Sequence, residues 1–282
     1  MKSKNKAILY ILCSAFCFAL MNTFVKLSGD IPSIQKSFFR NFVALLFAAF
    51  IIIRDKKDFK IQKRNLQFLL IRSFMGTLGI LCNFYAVDHL LLSDASMLNK
   101  LSPFFAILFS YLFLKEKLKL YQVFGILAAF VGALLIVKPG FSISAFPAFI
   151  GVFGGLSAGA AYTAVRYLGQ RGEQGAMIVL FFSGFSCIVT LPVLIFDYTP
   201  MSIYQVLMLL LAGLSAAGGQ FSITAAYSNA PAREISVYDY TQVIFSAILG
   251  FILFSQVPDF ISIIGYIIIC GVSVIMYKLN MK

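Results

Sequence analysis

The chain has 282 residues; 60% are hydrophobic, 12% are charged, and the formal net charge is +12. That much apolar surface excludes an ordinary soluble globule. The charges fall in short segments between apolar runs, a topology signal rather than a nucleic-acid footprint. One histidine builds no metal cluster. The five cysteines, Cys13, Cys17, Cys82, Cys187 and Cys270, all sit in apolar runs without a CxxC pair. They read as small buried side chains, and neither a metal nor a cofactor is expected.

A membrane span needs about 20 mostly apolar residues. Ten such stretches are predicted, at 7–28, 34–53, 66–87, 93–114, 120–138, 146–168, 174–196, 203–224, 233–254 and 260–278. Lys2, Lys4 and Lys6 before the first run imitate a signal peptide. The run is long enough to span and lacks a cleavage motif, so it is read as a retained helix. Turn residues mark many of the breaks: Gly29–Pro32, Pro139–Gly140, Thr199–Pro200, Pro231 and Pro258. The class is all-α and polytopic, since barrel strands would alternate in polarity.

Orientation follows from Lys and Arg. One side collects Lys2, Lys4, Lys6, Arg54, Lys56, Lys57, Lys60, Lys63, Arg64, Lys115, Lys117, Lys119, Arg171, Arg233, Lys278 and Lys282. The other collects only Lys36 and Lys138. Both termini are therefore expected in the cytoplasm, with the protein in the inner (plasma) membrane.

An offset of 140 residues aligns one half on the other without gaps. Thr23 meets Thr163, Phe42 meets Phe182, Gly79 meets Gly219, Ala86 meets Ala226 and Gly125 meets Gly265. Lys26 meets Arg166, and Asp94 meets Glu234. Residues 1–140 and 141–282 thus read as two five-helix repeats. Five is odd, so the second repeat enters from the opposite side, which makes an inverted pair suited to alternating access. Duplication kept only for packing is the plainer alternative.

Ionisable groups at membrane depth are costly, about 2.5–3.5 kcal/mol each on insertion scales. Lys26, Arg40, Arg72, Lys100 and Arg166 fall inside the spans. Lys26 and Arg166 lie near helix ends, where they snorkel. Arg40, Arg72 and Lys100 lie deeper and require a hydrated cavity or an acid such as Asp94 or Asp239. In the ninth span Ser236, Asp239, Gln242 and Ser246 share one helix face. Their partners at the 140 offset are Ser96, Asn99, Ser102 and Ala106. Two polar stripes related in this way would meet near the midplane, flanked by Lys100, Tyr238 and Tyr240; a polar seam gluing helices is the other reading.

The first span offers Ser14, Phe18, Asn22 and Lys26, and its counterpart offers Gly154, Ala158, Tyr162 and Arg166. The third offers Arg72, Gly76, Gly79 and Asn83. The fifth and tenth spans carry no internal charge and are placed at the periphery. Gly151, Gly155 and Gly159 read as a close-packing run, with a homodimer contact as the lesser option beside a monomer. Pro103 and Pro192 are predicted kinks.

The stretch His89-Leu-Leu-Leu-Ser-Asp-Ala-Ser-Met-Leu-Asn-Lys-Leu-Ser-Pro-Phe-Phe, with Phe113-Leu-Lys-Glu-Lys, resembles the end of the first repeat in EamA-type members of the drug/metabolite transporter superfamily. Ala230-Pro-Ala, Tyr238-Asp-Tyr-Thr-Gln and Gly250-Phe-Ile-Leu-Phe are similar to the corresponding second-repeat segment. The resemblance implies ten helices, cytoplasmic termini and a central cavity for amino acids, nucleoside-like compounds, vitamins or other metabolites. Two departures stand out. Gln256 replaces a common acid opposite Glu116, and Val243 replaces the proline seen at Pro103, which predicts that of these two counterpart spans only the fourth is bent by proline.

No GxxxxGK[ST] loop is present, so transport is expected to be passive or coupled to a proton or a counter-substrate. The intramembrane excess of cations predicts an anionic or zwitterionic substrate. Asn22, Arg40, Arg72, Asn83, Asn99, Lys100, Tyr162, Tyr238, Asp239 and Gln242 are the predicted substrate contacts. A lipid head-group flippase is the alternative. A membrane enzyme ranks below it, because His89 lies in a loop and no carboxylate pair has useful spacing.

Overall fold

The computed structural model describes residues 2–55, 62–114, 119–137, 145–230 and 238–281. Lys56, Lys57, Lys60, Lys115, Glu116, Lys117, Lys138, Pro139, Gly140, Pro231, Arg233, Glu234, Ser236 and Lys282 lie outside these residues. Among the described residues the chain is helical throughout: α1 (Lys2–Leu27), α2 (Ser33–Arg54), α3 (Leu66–His89), α4 (Leu92–Asn99), α5 (Ser102–Leu114), α6 (Leu120–Val137), α7 (Ala145–Gln170), α8 (Gly175–Phe196), α9 (Ile203–Asn229), α10 (Thr241–Phe254) and α11 (Phe260–Met281). Seven stretches are long and apolar enough to cross a membrane, with α4 and α5 together forming one of them. The segments Val123–Ile136, Thr241–Phe254 and Phe260–Met276 are shorter apolar helices.

Each helix turns its small and polar residues inward. On α2, Lys36, Ser37, Arg40, Asn41, Ala44 and Ala48 are buried, while Phe42, Leu46, Phe50 and Ile53 are exposed. On α8, Ile188 and Phe196 are exposed, whereas Ser183, Ser186 and Thr190 are buried. An apolar exterior around a polar interior is the arrangement a lipid solvent selects. The main packing pairs are α1 with α9, α3 with α7, α2 with α8, and α6 with α11. The last pair packs chiefly on itself, away from the polar centre.

Glycines set the close approaches. A Cβ on Gly79 would lie 3.3 Å from the Gly154 carbonyl, so α3 and α7 touch backbone to backbone. At Gly155 it would lie 2.7 Å from the Leu98 carbonyl, and at Gly159 2.7 Å from that of Ser102. The glycine run of α7 therefore seats α4 and α5, an internal contact rather than a surface for a second copy.

The fourth span is broken, not merely kinked. Lys100 and Leu101 form a turn between α4 and α5. Pro103 sits in the first turn of α5, where its missing N–H costs nothing. The counterpart span has no proline at this place, yet Tyr240, 140 residues after Lys100, is also a turn, ahead of α10. The Val243 amide donates to the Tyr240 carbonyl at 3.0 Å, so the break persists without proline.

Candidate functional site

The polar faces of α1, α2, α3, α7, α8 and α9 converge on a cavity. Its wall is formed by Phe18, Met21, Asn22, Arg40, Arg72, Gly76, Gly79, Ile80, Asn83, Asn99, Ala158, Ala161, Tyr162, Phe182, Gln220 and Gln242. Seven of the ten predicted contacts are here: Asn22, Arg40, Arg72, Asn83, Asn99, Tyr162 and Gln242. The cavity volume is about 60 Å³, room for a few waters and well below the several hundred Å³ of a metabolite pocket.

Two guanidiniums dominate the wall. Arg40 is fully buried and Arg72 is 2% exposed. The Arg72 Cζ lies 4.0 Å from the centre of the Phe182 ring, and the Arg40 Cζ lies 5.7 Å from it. Cation–π attraction to one desolvated ring holds both heads. Arg72 Nη2 donates to Gln220 Oε1 at 2.9 Å. Arg40 Nη1 donates to Asn41 Oδ1, and Asn41 Nδ2 donates in turn to Ser186 Oγ at 2.8 Å. Gly76 makes room for the Arg72 head: a Cβ there would lie 2.1 Å from Arg72 Nη1. The Nε of each arginine, Asn22 Nδ2 and Gln242 Oε1 are buried without a hydrogen-bond partner in the protein. Such groups are expensive to leave unmet by water or another polar partner.

Three predicted contacts stand elsewhere. Lys100 does not present its charge to the cavity, because its Nζ lies 2.7 Å from Asp239 Oδ2 with both side chains buried. The two helix breaks are thereby joined, and the Tyr240 hydroxyl adds a bond to the Lys100 carbonyl at 2.9 Å. Asp239 thus serves as the partner of Lys100. Tyr238 packs half-buried against the apolar core. The polar stripes do meet: Ser96 and Ser246 share a hydrogen bond of 2.7 Å, and beyond them Asn99 and Gln242 reach the cavity. The seam is part glue and part wall. On α1, Ser14 donates to the Gly219 carbonyl at 3.1 Å, and Lys26 Nζ caps the Val87 and Leu90 carbonyls at 2.8 Å each.

Phe182 and Gln220 are missing from the predicted set. Gln220 had a legible signal, an amide in the middle of an apolar helix. Phe182 had none, being one phenylalanine among 31. Tyr227, stacked on Tyr162 with ring centres 5.0 Å apart, was hidden likewise.

Hydrogen bonds tie segments together at both ends of the molecule. At one end Glu173 Oε1 accepts from Asn65 Nδ2 at 2.8 Å and from the Gln62 amide at 3.3 Å. At the other, Gln205 Nε2 donates to the Ser28 carbonyl at 3.1 Å, and Gln35 exchanges two bonds with Thr199. Gln256 Oε1 accepts from the Leu92 amide at 3.0 Å.

Apolar helices facing outward around a buried, cation-lined cavity define a multi-pass membrane protein built to move a small molecule. The EamA-like transporter family model matches residues 5–138 and again 145–277. The chain belongs to that family, within the drug/metabolite transporter superfamily. It is 34% identical over 270 residues to the pseudopaline exporter CntI of Pseudomonas aeruginosa, covering 94% of this chain and 93% of the relative. An uncharacterized transporter of Helicobacter pylori is 28% identical, with 93% and 91% covered. Human solute carrier family 35 member G1 is 27% identical, with 92% and 75% covered. A crystal structure at 16% identity superposes with a TM-score of 0.72 over 97% of this chain and 96% of that one, a likeness of fold alone. The chain is a membrane transporter of a small molecule.

Proposed function

We propose that this transporter carries a small metabolite with an anionic or zwitterionic group by alternating access, using Arg40 and Arg72 to hold the anionic end. The observation that carries the reading is the pair of buried guanidiniums, each with an N–H that has no protein partner, on the wall of one cavity between two hydrogen-bonded ends. A site that must serve both sides of a membrane belongs at such a position.

Two oppositely inserted five-helix repeats, residues 1–140 and 141–282, are the proposed machinery. The packing pairs support this. Exchanging each helix for its counterpart at the 140 offset turns the α1–α9 pair into the α7–α3 pair and returns α2–α8 and α6–α11 to themselves. The end latches support it too. Asn65 and Gln205 are 140 residues apart, and they bond at opposite ends of the molecule. Breaking one latch while the other holds opens the cavity to one side.

In the proposed ten-span topology the Glu173 latch and both termini lie in the cytoplasm and the protein sits in the inner (plasma) membrane. The Pseudomonas aeruginosa relative is named an exporter, which supports outward movement here. Coupling to a proton or a counter-substrate completes the cycle.

The test is solute flux in proteoliposomes with Arg40→Gln and Arg72→Gln. Loss of flux in correctly folded variants is expected. Unchanged flux in both overturns the assignment, and head-group flipping without solute flux would make the protein a flippase instead.

A further inference from the structure

Counting charge at the cavity separates Arg40 and Arg72 from the other deep cations. Lys100 is matched by Asp239 at 2.7 Å, and Lys36 by Asp88 at 2.6 Å. Lys26 lies near a helix end and is held by two carbonyls. Arg40 and Arg72 are bonded only to amide oxygens, those of Asn41 and Gln220, which are neutral. Among the described residues no carboxylate forms an ion pair with either. Both heads flank the same Phe182 ring, so at most about 10 Å separates their charges, which repel strongly at low dielectric.

We infer that the ligand of this cavity is doubly anionic, bearing two carboxylates or one phosphate dianion, so that each guanidinium receives one negative charge. This rests on the proposed anion-holding role of the two arginines and adds a charge count to it. A single carboxylate would leave one buried cation unmatched, whichever arginine it chose. Buried charges are retained when paired. The protein shows the matched form twice outside the cavity, at Lys100 and at Lys36. The partnerless Nε of each arginine gives each head a free donor for its own anionic oxygen. A planar guanidinium fork suits carboxylate and phosphate oxygens alike.

The experiment is binding to the full chain, purified in detergent, by calorimetric titration and thermal unfolding. The probes are glutarate, its monomethyl ester, butyrate, glutamate and inorganic phosphate. Glutarate or phosphate is expected to bind at least 10-fold tighter than the monoester and butyrate; which of the two binds tells two carboxylates from a phosphate. Arg40→Gln and Arg72→Gln are each expected to erase that preference. Without ligand, each is expected to hold or raise the unfolding temperature, because an unmatched buried charge is removed. Equal affinity for glutarate, phosphate and the monoester overturns the inference, as does absence of binding by both dianions. If butyrate binds as tightly and loses affinity in the arginine variants, anion holding stands and the two-charge requirement falls; glutamate, which also bears two carboxylates, is expected to bind with glutarate. If the variants alter no binding at all, both fall together.

Discussion

Gly76→Ala separates the site from the fold with one methyl group. The added Cβ would sit 2.1 Å from Arg72 Nη1 and 2.8 Å from Phe182 Cε2. Both are mobile ends of side chains, so the helix itself need not move. The guanidinium must swing off the ring and away from Gln220, to which it donates at 2.9 Å. A hydrogen bond from a charged group is worth about 1.5–3 kcal/mol and a desolvated cation–π contact up to about 2 kcal/mol. Partial loss of both costs the fold about 2 kcal/mol and takes the guanidinium off its place on the cavity wall. Helix propensity moves the other way, since alanine gains about 1 kcal/mol over glycine in a helix interior. The variant should therefore lose no more than about 1 kcal/mol of stability while half-saturation of transport rises by about 10-fold or more. Flux titrations in proteoliposomes, paired with thermal unfolding, read both. Wild-type half-saturation in a well-folded Gly76→Ala protein would refute the placement of Arg72 at the ligand.

Further outcomes follow from other contacts. Asp239→Ala strands Lys100 as an unpaired buried cation and should cost about 3–5 kcal/mol; the double change Lys100→Met, Asp239→Leu should recover most of it, read by thermal unfolding. Gly155→Val drives a side chain against the Leu98 carbonyl, 2.7 Å from the Cβ position, and should lower expression and stability by more than about 2 kcal/mol, unlike Gly76→Ala. In a cysteine-free background, Asn65→Cys with Glu173→Cys should form a disulfide that stops flux until it is reduced, measured with and without reductant. Flux unaffected by that cross-link would remove the latch from the transport cycle.

Much of the cavity wall was legible because membrane burial makes polar residues conspicuous. Arg40, Arg72, Asn22 and Asn83 stand out against apolar helices, and helical spacing aims them inward. Lys100 was legible as a cation needing either water or an acid such as Asp239, but spacing within one helix does not choose between them; the structure pairs it with Asp239 at 2.7 Å. The break at Tyr240 was hidden because proline is one cause of a helix end, not the only one. Phe182 gave no signal because an aromatic ring facing a cation looks, in sequence, like one facing lipid. The glycines of α7 were legible as packing sites, but their partners α4 and α5 were not, since small residues announce an approach without naming its other side.

The central claim is that one cavity serves both sides of the membrane. Gln220→Cys in a cysteine-free background, reconstituted in sealed vesicles, tests it directly with a membrane-impermeant thiol reagent applied from each side in turn. Labelling from either side, slowed when the opposite latch is cross-linked, is the expected result. Labelling from one side only, or from neither under turnover, would contradict it.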